Sequence, residues 1–265
     1  MNAIPFSLIA VFIDAAHSFK GNTAAVVLLE TPLSEIKMQE VAADFNQPAT
    51  TFLWPDQQQN TFDVRWYAPD AEIDLCGHGS LAALAFLSSI RENSERFILQ
   101  YRNGKIEGGL DSNGMCTMDM EAIPVLTELQ VPELLPKALG IPVQACYTTE
   151  GKHIVLSDNE TSIRNMSPDY AMLRQLDTFG YAITAPGDQV DFVSRTLVPH
   201  VKQLEDPATG SSHAALVPFW AKRLNKTNLI AHQLSSRGGK FVCNIDQRTV
   251  TLKGEFKVIG EGNLR

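Results

Sequence analysis

One segment of this chain is written twice. Cys76-Gly77-His78-Gly79-Ser80-Leu81-Ala82-Ala83-Leu84 is answered by Ala208-Thr209-Gly210-Ser211-Ser212-His213-Ala214-Ala215-Leu216. The two Ala-Ala-Leu runs begin at 82 and 214, a spacing of 132, which is half of the 265 residues. A repeat of that period predicts two half-chains built on one plan. In each, a Gly/Ser-rich turn feeds an apolar helix. Such a turn leaves backbone N–H groups unpaired at the positive end of a helix, where an anion can be held. Two such turns in equivalent halves point to one acidic ligand gripped between two similar domains.

The other bounds agree with that picture. A chain of this length forms two domains of ordinary size, and 44% hydrophobic residues supply a core for each. The net charge of −8 argues against nucleic acid, and no basic run offsets it. The first 19 residues lack a cationic region, an apolar core and a small-residue cleavage site, so they read as a first strand and not as a signal peptide. No apolar run reaches the ~18 residues of a membrane span. The four cysteines, Cys76, Cys116, Cys146 and Cys243, are scattered and include no CxxC pair. That pattern points to reduced thiols in a cytoplasm, with neither a disulfide framework nor a zinc site.

Along the chain, residues 8–12 and 24–29 read as strands joined by the Gly21-Asn22 loop. Ser34 is placed to cap a helix running to Phe45, with Ile36, Met38, Val41, Ala42 and Phe45 near one face. Phe62, Val64 and Trp66 alternate with Asp63 and Arg65, as in a half-buried strand. Residues 79–87 and 212–224 are the two buried helices. Asn103-Gly104 marks a hairpin between 97–101 and 105–110. Ser167-Pro168 reads as the start of a helix to about 176. Composition shifts at 124–132, which places the domain boundary there, with domains at 1–124 and 125–265 and terminal strands free to cross over. Many short strands with one buried helix per half give an α+β fold, not a parallel doubly wound sheet.

The candidate chemistry gathers at the repeated turns. His78 stands between Gly77 and Gly79 and can pass protons in either direction near neutrality; it can equally cap a helix. Asp206, before Pro207, is a candidate base or a simple dipole-stabilising cap worth ~0.3–1 kcal/mol. Gly77, Gly79, Ser80, Gly210, Ser211 and Ser212 offer N–H and hydroxyl donors for a carboxylate. Asn22 is a candidate amide contact or a turn residue. Cys76 at a helix start is a candidate base or nucleophile, or a small buried thiol. The other half has Ala208 at the matching point, so a two-thiol racemase lacks its partner. His213 either faces the ligand or packs in the core. Arg237-Gly238-Gly239 is a candidate cation or a tight turn.

The segments GNTAAVVLL (21–29), MQEVAADFNQPATTF (38–52), RWYAPDAEIDLCGHGSLAA (65–83), EDPATGSSHAAL (205–216) and SSRGGKF (235–241) together resemble the PhzF family of phenazine-biosynthesis isomerases. The combination of CGHGS and EDPATGS in that order is specific. The resemblance implies a diaminopimelate-epimerase-like fold: two similar domains related by a pseudo-twofold, each a barrel-like sheet around a central helix, with the site in the cleft between them. It also implies a homodimer, a small carboxylic-acid substrate, and chemistry that needs no cofactor and no metal. The phenazine enzyme shifts a proton on dihydro-3-hydroxyanthranilate. The histidine of its GH motif corresponds to His78 and the aspartate of its DPATG motif to Asp206. Its acid–base glutamate lies in an N-x-S-E-T stretch, which here reads Asn46-Gln47-Pro48-Ala49-Thr50, so Ala49 stands where the glutamate would be. Three readings stay open: a cofactor-independent isomerase working through His78 and Asp206, a binding protein that has lost catalysis, and a single-thiol racemase or dehydratase using Cys76.

Overall fold

The duplication is visible strand by strand in a computed structural model, which describes residues 3–91 and 96–264. The chain divides into two compact units, Met1–Met120 with Thr251–Arg265, and Glu121–Val250. The first contains β1 (Ile4–Ile13), β2 (Asn22–Leu28), α1 (Glu35–Phe45), β3 (Ala49–Pro55), β4 (Thr61–Tyr67), β5 (Glu72–Ile73), α2 (Gly77–Ile90), β6 (Phe97–Tyr101), β7 (Gly104–Leu110) and β8 (Cys116–Glu121). The second contains β9 (Glu128–Leu129), α3 (Leu134–Leu139), β10 (Ala145–Tyr147), β11 (Lys152–Leu156), α4 (Glu160–Asn165), α5 (Tyr170–Leu173), β12 (Gly180–Pro186), β13 (Phe192–Val198), β14 (Leu204–Asp206), α6 (Gly210–Leu224), β15 (Asn228–Gln233) and β16 (Gly239–Asp246). β17 (Thr249–Leu264) begins in the second unit and returns to the first.

In the first unit β1 pairs antiparallel with β2, β2 parallel with β3, and β3 antiparallel with β4. β4 then takes β5 antiparallel and β6 parallel, and β6 takes β7 antiparallel. The second unit repeats these pairings in order and sense, from β10–β11 through β11–β12, β12–β13, β13–β14 and β13–β15 to β15–β16. In the first unit the ring closes. β7 pairs with β8, β8 with β17, and β17 with β1, giving an eight-stranded barrel of β1, β2, β3, β4, β6, β7, β8 and β17.

α2 occupies the middle of that barrel, packed on β1, β2, β3, β6 and β7. Its residues 77 to 87 are all buried, because an apolar helix with no polar face has nowhere else to go. α6 sits in the same relation to β11, β15 and β16. Outside the first barrel, Met38 and Ala42 of α1 close over Val27, Leu29, Phe52 and Tyr67. Ser34 caps α1 as expected, accepting from the Lys37 N–H. Ile36, expected on the inner face of that helix, is 74% exposed.

Several boundaries differ from the sequence reading, each for a physical reason. Both central helices begin two residues earlier, at Gly77 and Gly210, so the glycines lie inside the first turn. The helix expected at 167–176 is the four-residue α5, capped by the Asp169 side chain and not by Ser167. α3 and α4 have six residues each, too few for a helical period to register. The 124–132 stretch contains β9, which pairs with β10. The units divide at Met120/Glu121, and β17 rejoins the first unit through its ladder with β1, a long-range pairing with no local signature.

Candidate active site

Each central helix is delivered by the same device. A short strand, β5 or β14, hangs on the long strand before it and leads through a few residues to the helix cap. The caps are Cys76, with φ −120° and ψ 99°, and Thr209, with φ −117° and ψ 99°. One bidentate ion pair pins each short strand: Arg65 Nε and Nη2 on Glu72 at 2.7 and 2.6 Å, and Arg195 Nε and Nη2 on Glu205 at 2.7 and 2.8 Å. The sequence repeat is in register at 132, but the helix starts, Gly77 and Gly210, match at 133. In that register Ser80 corresponds to His213, and their side chains make the same bond. Ser80 Oγ donates to the Cys76 carbonyl at 2.7 Å, and His213 Nδ1 donates to the Thr209 carbonyl at 2.8 Å.

In the first unit, Gly77, His78 and Gly79 form the first turn of α2, whose N–H groups have no carbonyl one turn earlier to bond. His78 is buried, 5% exposed. The Cys76 sulfur lies 3.6 Å from His78 Nδ1 and 3.8 Å from Nε2. Gly79 is required by close approach: a Cβ there would stand 2.8 Å from Thr51 Oγ1, 2.9 Å from Trp66 Cδ1 and 3.1 Å from Cys76 Sγ. Thr51 Oγ1 also donates to the Gly79 carbonyl at 3.2 Å. Ala49, fully buried at the start of β3, shares the strand face of Thr51 by two-residue alternation, so it looks toward the beginning of α2. Asn22 opens β2 opposite Val11, fully buried, and its Oδ1 accepts from the Thr23 N–H.

In the second unit, Asp206 ends β14 opposite Thr196. Gly210, Ser211 and Ser212 form the first turn of α6. Ser211 Oγ accepts from Lys152 Nζ at 3.2 Å, which sets a cation beside the helix start. Ser212 is buried, and its Oγ accepts from Thr196 Oγ1 at 3.0 Å. His213 takes up the core alternative: it is wholly buried and stacked on Phe241 with centroids 3.6 Å apart. Desolvation pushes its pKa down to about 4, so it is neutral at physiological pH. Arg237 lies in the turn before β16, where Ser235 Oγ donates to the Pro207 carbonyl at 2.7 Å. The sequence reading missed Lys152, Thr51, Trp66 and both Arg–Glu clamps. The clamps had one available signal, an Arg followed by a Glu seven or ten residues on in the two equivalent stretches.

The sequence matches the family described as "Phenazine biosynthesis-like protein" over residues 9–263. The chain belongs to that family. An uncharacterized isomerase of Pseudomonas aeruginosa is 35% identical over 256 residues, covering 96% of this chain and 97% of its own. The crystal structure of a PhzF-family phenazine biosynthesis protein from Enterococcus faecalis aligns over 99% of both chains, with a TM-score of 0.90 at 32% identity. A hydroxyproline epimerase from Agrobacterium vitis, at 11% identity and a TM-score of 0.67 over 99% of this chain and 92% of its own, shares the fold alone. Among the described residues, no helix is long and apolar enough to cross a membrane.

Proposed function

We propose that this phenazine biosynthesis-like protein is a cofactor-independent isomerase that moves a proton on a small carboxylic acid, with one proton-handling group drawn from each repeat. One observation carries the reading. The same strand–turn–helix device occurs twice with the same cap angles, and each copy places a titratable group at the helix start: His78 in the first turn of α2, and Asp206 three residues before the cap of α6. The first-turn N–H groups, Ser211 and Lys152 supply the positive surroundings that a carboxylate and a developing enolate require. On an α-hydroxy or α-amino acid one group removes the proton beside the carboxylate and the other returns one to the same carbon. On a conjugated acid such as dihydro-3-hydroxyanthranilate the double bonds shift and the proton returns at a second carbon, so one proton is lost and one gained without an electron carrier. Incubation of the protein in D₂O with a panel of α-hydroxy and α-amino acids and dihydro-3-hydroxyanthranilate tests this. Deuterium is expected to enter one of these acids with the wild type and to be lost with His78→Ala or Asp206→Asn. Equal incorporation by the variants refutes the assignment.

A second reading rests on Ala49. A methyl group at the position of the family glutamate cannot shuttle a proton, so the protein would bind such an acid without turning it over. Saturable binding with no isotope exchange would identify that case. The single-thiol reading rests on the Cys76 sulfur lying 3.6 Å from His78 Nδ1 and 3.8 Å from Nε2, with no second thiol at the matching point of the other repeat. Turnover that survives Cys76→Ser removes it.

A further inference from the structure

Gln233, the last residue of β15, is fully buried and spends its whole amide on one turn. Its Oε1 accepts from the Thr209 N–H at 2.8 Å. Its Nε2 donates to the Asp206 carbonyl at 2.5 Å and to Thr209 Oγ1 at 3.1 Å. These bonds bracket Pro207 and Ala208, so a single side chain fixes both ends of the link between Asp206 and α6. Thr209 is the helix cap, and the N–H of a cap is ordinarily satisfied by a Glu or Gln at the third helical position. That position is Ser212, whose hydroxyl is engaged with Thr196, and Gln233 does the task from another strand. The first unit has a glutamine at the same ladder place: Gln100 faces Asp63 as Gln233 faces Ser194. Gln100 donates instead to Asp56 Oδ2 at 2.9 Å. The duplicated residue has therefore been given to the turn in one repeat alone.

We propose that Gln233 is a positioning residue for Asp206, locking the 206–209 turn so that the carboxylate and the first-turn N–H groups of α6 meet the substrate as one rigid unit. The proposal rests on the reading of Asp206 as a proton-handling group. It also explains why the residue is an amide: the turn presents one acceptor and one donor of the backbone together with a hydroxyl, and a carboxylate matches only part of that set.

The test uses the full-length protein with Gln233→Met, which keeps the shape and removes every bond, and Gln233→Glu, which keeps an acceptor and removes both donors. Amide hydrogen exchange over 208–210 should accelerate about tenfold or more in Gln233→Met, with exchange in the first unit unchanged. With whichever acid of the D₂O panel the wild type labels, kcat should fall about 10- to 100-fold, KM should move by less than about threefold, and the acidic limb of the pH profile should shift. Gln100→Met should leave all four readouts at wild-type values. Unchanged amide exchange overturns the lock. Faster amide exchange with wild-type kcat and pH profile overturns the positioning role. If the wild type labels no acid, the functional reading fails, and amide exchange alone still decides whether the lock exists. If Gln233→Met does not fold, Thr209→Val removes only the 3.1 Å bond, and it must give a smaller acceleration in the same direction or the proposal falls.

Discussion

At the scale of single residues, the two histidines of the repeat have opposite fates. His78 stands in a helix first turn, while His213 is an interior group held neutral by burial, its pKa pushed down to about 4 against the ordinary 6.5. A group with a depressed histidine pKa binds fewer protons folded than unfolded. Its contribution is therefore complete above pH 6.5 and is lost as pH falls toward 4, by about 3 kcal/mol in all. Urea unfolding at pH 7 and pH 4.5 should show that difference in the wild type, and His213→Phe, which keeps the stack on Phe241, should lose most of it. An equal pH dependence in the variant contradicts the assignment. Ala49 gives a second prediction. A glutamate there would be a buried carboxylate with its pKa raised, which suits acid–base work, at a cost of about 1–3 kcal/mol for overpacking. Ala49→Glu should melt lower and gain proton transfer on dihydro-3-hydroxyanthranilate. A lower melting point with no gain would mean that the surroundings of this position have diverged as well.

At the scale of elements, the repeat was legible because its signal is local: a Gly-rich turn, an apolar helix and an NG hairpin announce themselves within ten residues. The helix starts were misplaced by two residues because Gly77 and Gly210 look like turn residues, and only packing shows why a glycine belongs in the helix. Gly79 makes the point. Replacing a helical glycine by alanine ordinarily stabilises by about 1 kcal/mol. Here the new methyl would meet Thr51, Trp66 and Cys76 at 2.8 to 3.1 Å, and steric strain of about 1–3 kcal/mol outweighs the gain. Gly79→Ala should lower thermal stability, and a rise would show that those side chains yield freely. The clamps differ in burial, since Arg195 and Glu205 have side chains 11% and 17% exposed against 21% and 35% for Arg65 and Glu72. Glu205→Gln should therefore destabilise by about 2–3 kcal/mol and Glu72→Gln by about 1 kcal/mol or less. Equal losses in chemical denaturation would deny the ranking. The clamps, Gln233 and Lys152 escaped the sequence reading because each joins residues on different strands, and a ladder register is not written in either strand alone.

At the scale of the whole molecule, the chain is one plan executed twice, with β17 carried back to complete the first barrel. The sequence leaves that return open, because the partner of a terminal strand is decided by which edge remains after everything else has paired. On the proposed reading the two copies divide the labour: one has a histidine at its helix start, and the other an aspartate before its helix and a glutamine bonded to both ends of the intervening link. On the proposed function, His78 and Asp206 serve one substrate. The most direct measurement is deuterium incorporation by His78→Ala, Asp206→Asn and the double variant, with whichever acid the wild type labels. Groups acting on one proton shift lose activity as a unit, so the double variant should be no slower than the slower single variant. Losses that multiply, or a single variant that retains the wild-type rate, would contradict the claim.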